Sequence, residues 1–282
     1  MVVKADGTTE AFDEHTIRQS LRRAHIPLEF HNDVLREIQN GLYQNIPTRE
    51  IYRYIRNYFS ARYPKGSSSY NLKQAIMELG PSGYPFERYV GAMRRKKGYQ
   101  VQIGQIMRGK CVSHEVDVLA VKGDEHFMVE CKFHNQPGLR SDIKVALYTK
   151  ARFDDLLNYW LMQEAKTGLH AKHHGWLITN TKCTIDAIQY AQCAGIKVMG
   201  WNYPEEHSLQ AWIDETRMYP VTILTSLTKT EQHFLLEKDI VSAAEIFEYD
   251  GLVEQLRLEP QQLQQLREEV QMLNEGASVA KD

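Results

Sequence analysis

The 282-residue chain has few cysteines and none of them in a paired spacing. Cys111, Cys131, Cys183 and Cys193 form no CxxC motif, which argues against a zinc knuckle or a disulfide-stapled fold, and buried, reduced thiols are expected. No apolar run approaches the roughly 20 residues that span a bilayer, so no membrane partner is expected. The start, Met1 to Gly7, lacks the hydrophobic stretch of a signal peptide, and a cytoplasmic location follows as the expectation. There is no internal repeat. Charge of one sign is also not in excess, because the formal net charge is only −2. What is abundant is core material: 43% apolar and 10% aromatic residues exclude global disorder, and the length leaves room for two or three domains.

The near-neutral total conceals a gradient along the chain. Residues 1–83 carry 11 Lys+Arg against 9 Asp+Glu, residues 84–204 carry 17 against 11, and residues 205–282 carry 6 against 16. Phosphate contacts supply most nonspecific affinity for nucleic acid, so a polyanion is expected on the middle segment and not on the acidic tail. Arg94-Arg95-Lys96-Lys97 is the densest basic run, readable either as a solvated helix end or as a phosphate contact. Turn-forming residues mark the same steps: Pro64 to Ser69, then Gly80 to Pro85 as a domain boundary, then a softer boundary near Met218-Tyr219-Pro220.

The chemistry concentrates in Val116-Asp117-Val118-Leu119 and Val129-Glu130-Cys131-Lys132-Phe133. Successive strand side chains point to opposite faces, so Glu130, Lys132 and His134 share one face while Val129, Cys131 and Phe133 share the other. Lys122-Gly123-Asp124-Glu125 is turn-like, and a hairpin closed there brings Asp117 beside Glu130 and Lys132. Two adjacent carboxylates repel unless a cation lies between them, and a divalent metal is the simplest solution.

Residues 1–80 predict a short strand at Val2-Val3-Lys4, a turn at Asp6-Gly7, an extended piece ending at Phe12, and a helix capped by Asp13. Helical periodicity follows around Val34 to Leu42, Ile51 to Phe59, and Leu72 to Leu79. Val3-Lys4-Ala5-Asp6-Gly7, with Phe12-Asp13, Ile17, Ser20-Leu21-Arg22 and Tyr70-Asn71-Leu72-Lys73, resembles the ATP-cone domain, departing from it at Ala5 and Thr16. The resemblance implies a regulatory module that senses ATP or dATP, with Lys4 and Lys73 in nucleotide binding.

Residues 84–203 predict the order α-β-β-β-α-β-α-β, a central α/β mixed sheet flanked by helices, with Ile143 to Leu157 as the second helix and Trp176 to Thr179 as the buried strand after it. With Glu87 in the first helix, Asp117, and the Glu130-x-Lys132 pair, this segment resembles the PD-(D/E)XK superfamily, specifically Mrr-type restriction endonucleases. The resemblance implies a DNA endonuclease dependent on Mg²⁺ or Mn²⁺. Asp117 and Glu130 would hold the metal with the Cys131 carbonyl, Lys132 would orient the attacking water, and Glu87 would be the helical acid. Glu115, two residues before Asp117, is a candidate further ligand. His134, Asn135, Tyr148 and Arg152 are candidates for nucleic-acid contact. His170 and His174 lie four apart but have no accompanying carboxylate or cysteine at zinc spacing, and no metal is assigned to them.

Residues 204–282 read as a small helical region suited to packing or oligomerisation, with a faint resemblance to a helix-hairpin-helix at Leu258-Glu259-Pro260. The fold class expected is therefore multidomain α+β, and two-strand cleavage would favour a homodimer or a higher homo-oligomer. Two other functions fit the same residues: a noncatalytic nucleotide-sensing DNA-binding regulator, and a DNA repair or junction-resolving nuclease.

Overall fold

A computed structural model describes residues 1–4, 7–23, 26–62, 72–168 and 170–275. It is a mixed α/β structure with several sheets. No helix among the described residues is long and apolar enough to cross a membrane. Ala5, Asp6, Ala24, Tyr70, Asn71 and the punctuation at 64–69 lie outside the described residues.

The N-terminal part builds its own core. Strands β1 (Val2–Val3) and β2 (Thr9–Glu10) form an antiparallel pair, and β3 (Ile46–Pro47) adds to β1 in parallel. Helices α1 (Glu14–Arg23), α2 (Leu28–Asn40) and α3 (Thr48–Arg62) cover this sheet. Asp13 caps α1 as expected, its carboxylate accepting from the backbone N–H groups of His15 at 2.9 Å and Thr16 at 3.2 Å. Leu21, Val34, Ile38, Ile46, Ile55 and Phe59 fill the space between these elements.

Residues 72–77 form α4, as the periodicity predicts, but Leu72, Ile76 and Leu79 pack in a second, larger core. That core lies on one face of a five-stranded sheet. Helix α5 (Tyr84–Lys96) leads into β4 (Gln100–Arg108), β5 (Ser113–Lys122) and β6 (Glu125–Lys132), followed by the short β7 (Arg140–Ser141). Helix α6 (Ile143–Thr167), β8 (Lys172–Thr179), the short β9 (Lys182–Cys183), α7 (Ile185–Ala194) and β10 (Lys197–Met199) complete it. The strand order is β10-β8-β6-β5-β4, with β4, β5 and β6 antiparallel and β6, β8 and β10 parallel. The parallel pairings require crossovers, and α6 and α7 supply them.

Alternation along β6 sorts the two faces. Phe127, Val129 and Cys131 enter the core shared with α4 and α5, whereas Met128 packs with Phe153 and Leu156 of α6 on the other face. The β5–β6 connection closes at Lys122 and Glu125, with Gly123 at φ 60°, a backbone conformation that needs no side chain there.

The acidic tail packs on the α5 side. Helices α8 (Leu209–Thr216), α9 (Lys229–Glu237), α10 (Leu252–Leu256) and α11 (Pro260–Glu275) bury Trp212, Leu235, Leu256, Leu266 and Val270 in the core that holds Phe86 and Tyr89. The Tyr89 hydroxyl donates to the Met218 carbonyl, Thr222 donates to the Ala75 carbonyl at 2.6 Å, and Arg88 pairs with Asp239. Glu269 accepts from the backbone N–H and the hydroxyl of both Thr225 and Ser226. Two expectations about surface chemistry change here. Cys131 and Cys183 are buried, but Cys111 and Cys193 are exposed. Arg94, first of the basic run, is only 4% exposed, its guanidinium among the rings of Trp176, Phe127, Trp212 and Tyr99 at 4.1, 4.9, 4.9 and 5.3 Å. It is therefore a core residue and not a phosphate contact.

Candidate active site

Asp117 and Glu130 lie one step beyond Val118 and Val129, a pair in the β5–β6 ladder. There the backbone ladder gives way to a side-chain bond, as the Cys131 N–H donates to Asp117 Oδ2 at 2.7 Å. Glu130 points to the α6 face, where Arg152, 8% exposed, forms an ion pair with it. Lys132, two residues along the same strand, is exposed; burial raises the carboxyl pKa of both Asp117 and Glu130, and the Lys132 charge only partly offsets that rise.

The electrostatics of this corner are those of crowded acids. Burial, then the charges of Asp117 and Glu115, push the Glu87 carboxyl up to about 7. Burial and Asp117 raise Glu130 against the pull of Arg152, and burial raises Asp117 against the Cys131 N–H bond. Glu87 lies in the first turn of α5, one turn after Gly83, so the helix carries it in from the opposite side of the sheet. Cys131 itself faces inward, its thiol pushed well up by burial, which leaves its backbone as the part able to serve the site.

Oxygen donors of this kind suit Mg²⁺, which is usually held by one or two carboxylates plus waters and substrate phosphates. Among the described residues, no group of three or more His, Cys, Asp and Glu is arranged to hold a metal ion. The donor set thus fits an ion whose remaining coordination comes from water and phosphate, and it does not fit a closed all-protein cage.

The flanking candidates divide. His134 is braced: its N–H donates to Asn180 Oδ1 at 2.8 Å, its Nε2 meets Ser141 Oγ at 3.0 Å, and Asn180 Nδ2 returns a bond to the His134 carbonyl at 2.8 Å. Burial, then Lys132, lower its pKa, so the neutral ring is favoured. Asn135 is exposed beside it, and Tyr148 is 59% exposed under the Arg152 guanidinium at 5.1 Å. Arg152, expected on phosphate, is instead engaged by Glu130. Lys73 sits apart from Lys4. It lies on α4 over the Trp201 ring at 5.0 Å, where burial and Lys182 lower its pKa to about 8, while Lys4 pairs with Glu10 on the N-terminal sheet. Asn180 and Ser141 carry no sequence signal, because β7 and β9, which flank them, are two residues long.

Comparison with known proteins gives relatives of parts of the chain. Residues 219–274 match the family model described as AF1548-like, C-terminal. An uncharacterized protein of Archaeoglobus fulgidus is 39% identical over 127 residues, a stretch covering 45% of this chain and 66% of that protein. The crystal structure of AF1548, a protein of unknown function, aligns with 69% of this chain and 100% of its own at 28% identity and a TM-score of 0.53. The match therefore spans slightly less than two thirds of the curated relative's length.

Proposed function

We propose that this protein is a nucleotide-regulated, metal-dependent DNA endonuclease, its active site made by residues 84–203 and its regulatory ATP-cone by residues 1–80. The observation that carries this reading is the meeting of Asp117, Glu130 and Lys132 at one sheet position, with Glu87 arriving from α5. Burial raises the pKa of all three acids, and the charge of Asp117 adds to the rise at Glu87 and Glu130, at a point where Lys132 stays exposed; such perturbed carboxyls in one place support a functional site.

A divalent cation held by Asp117, Glu130 and the Cys131 carbonyl would supply a polarised phosphodiester and a water of lowered pKa. The chain's own groups do the rest. Lys132 orients the attacking water and stabilises the extra negative charge that develops on phosphorus, an effect larger in the transition state than in the ground state. Arg152 holds the Glu130 carboxylate in place, so that its rotamer is set before substrate arrives. His134, neutral and fixed by Asn180 and Ser141, offers a ring edge to the phosphate or its water, and Asn135 offers an amide.

The cone reading draws support from Lys4 at a glycine turn, with Gly7 at φ 82° and the capped start of α1 close in sequence. A cavity of about 390 Å³ lined by Met1, Phe12, Leu42, Tyr43 and Gln44 opens beside the same sheet. One observation favours a second reading, a noncatalytic DNA-binding regulator: the Glu130 carboxylate is already neutralised by Arg152. The experiment that separates them is incubation of supercoiled plasmid with the purified protein in Mg²⁺ or EDTA, each with and without ATP or dATP. Nicked or linear product in Mg²⁺ alone, with a rate changed by nucleotide, is expected; intact plasmid under every condition would leave the regulator reading in possession.

A further inference from the structure

The turn between β4 and β5 is locked in a way that no step of the proposed reaction requires. Asp155 of α6 accepts from the N–H groups of Cys111 at 2.8 Å and Val112 at 3.2 Å and from His114 Nε2 at 2.8 Å, while its carbonyl accepts from Lys110 N–H at 3.0 Å. Gly109 is held so closely that a Cβ there would lie 2.2 Å from Asp155 Oδ2 and 2.6 Å from the Val112 carbonyl. The lock fixes the residues on either side of Gly109, namely Arg108 and Lys110.

Those two cations face Lys166, Tyr159, Met162 and Gln163 of α6 across a cavity of about 360 Å³, and no carboxylate is among its lining side chains. The Arg108 guanidinium stands over the Tyr159 ring at 5.7 Å. Asp155 is committed to the turn and does not line the cavity, so it leaves the cavity's cations unpaired by its charge. Arg152, Tyr159, Gln163 and Lys166 succeed one another at spacings of seven, four and three and so share one face of α6. At 1.5 Å per residue, Tyr159 and Lys166 lie about 10 and 21 Å along the helix from Arg152, which is roughly three to six nucleotides at 3.4 Å each.

We propose that the Arg108–Lys110–Lys166 cavity is a second phosphate subsite, which grips the backbone of the nucleic-acid substrate a few nucleotides from Glu130, with Tyr159 as a platform for an adjacent sugar or base. The location relative to a scissile bond rests on the nuclease reading; the binding of a phosphodiester strand does not. The preformed turn spares the subsite the cost of ordering its backbone at the moment of binding, and cations on one helix face track a strand as a stripe.

The test is binding without chemistry. Fluorescence anisotropy of a labelled 20-nucleotide DNA duplex is measured in EDTA over a KCl series for the full chain and for Arg108→Glu with Lys166→Glu. The charge-reversed pair is expected to weaken binding at least tenfold and to flatten the log Kd against log[KCl] slope by about two, one for each lost phosphate contact. An unchanged Kd and slope would overturn the subsite. If the reversed pair fails to melt cooperatively, Arg108→Gln with Lys166→Gln serves, with the same slope change expected and the same null result decisive. Competition by ATP and by inorganic phosphate distinguishes free phosphate ligands: displacement of the strand only at millimolar competitor supports a strand site, whereas micromolar ATP binding that the variant loses while keeping the strand overturns it. Weakened binding by the variant together with a wild type that never cuts plasmid in Mg²⁺ supports the subsite and removes the nuclease reading; unchanged binding with Mg²⁺-dependent cutting does the reverse.

Discussion

Glu87 keeps a proton up to about pH 7 because it is buried and because Asp117 and Glu115 lie near it. An unfolded glutamate titrates near 4.3, so the folded state binds the proton more tightly than the unfolded state does. The sign follows: the contribution of Glu87 to stability is fully present below about pH 4.3 and is lost as the pH rises toward 7. Glu87→Gln should therefore raise the melting temperature of the metal-free protein at pH 8 and leave it nearly unchanged at pH 4. Thermal denaturation at the two pH values checks this, and an equal shift at both would mean that Glu87 does not feel the other acids. Added Mg²⁺ should narrow the pH 8 difference, since a cation at Asp117 and Glu130 offsets the same repulsion. The identities of these residues were readable in the chain, because strand alternation assigns Glu130 and Lys132 to one face and the hairpin sets Asp117 beside them. The Arg152–Glu130 pair was not, since a helix partner reaching across a sheet leaves no mark in local spacing.

At the scale of elements, the turn of the β4–β5 hairpin is tied to α6 through Asp155. Burial raises the Asp155 carboxyl, but the hydrogen bonds from His114, Val112 and Cys111 outweigh it and hold its pKa well below the usual aspartate range. A depressed carboxyl stabilises the fold above its unfolded pKa of about 3.9 and loses that contribution as the pH falls toward the folded value. Asp155→Ala is expected to accelerate amide exchange at Lys110, Cys111 and Val112 while residues 125–132 keep their protection; uniform protection in the variant would contradict the tie. Elements with long periodic stretches were legible: the α5-to-β10 order, the start of α6 at Ile143 and the turn at Gly123 follow from the pattern. Helix α6 runs ten residues beyond the Leu157 end expected for it, because Trp160 and Glu164 find partners in His173, which no apolar stripe announces. Strand β8 starts at Lys172 and not Trp176 for the same reason, His174 stacking on Phe127 with ring centres 4.7 Å apart. The two-residue strands are too short for any period to appear.

At the scale of the molecule, two cores divide the work. Ile38, Ile55 and Phe59 belong to one, and the sheet, α4, α5 and the acidic tail share the other. Calorimetry should resolve two transitions, with Ile38→Ala lowering one and Leu266→Ala the other, each by the 2–5 kcal/mol typical of such truncations. A single transition lowered equally by both variants would contradict the division. The charge gradient was plain in the sequence, yet its consequence differs from a simple expectation. The acidic tail serves as a packing layer, with Lys97 bound to Glu215 and Arg88 to Asp239, and the first cation of the basic run lies inside a cage of rings. Neither could be inferred from composition, because both depend on which surfaces the tail covers.

In the proposed reaction Asp117, Glu130 and Lys132 hydrolyse phosphodiester bonds together. The most direct measurement is single-turnover cleavage of a labelled duplex in Mg²⁺ by the wild type, Asp117→Asn, Glu130→Gln and Lys132→Ala, with duplex affinity measured in parallel in EDTA. Each variant is expected to lose at least about 10²–10³ in rate, as removal of a transition-state contact does, while Lys132→Ala binds duplex within a fewfold of wild type. Cleavage at the wild-type rate by Lys132→Ala would contradict the proposed reaction.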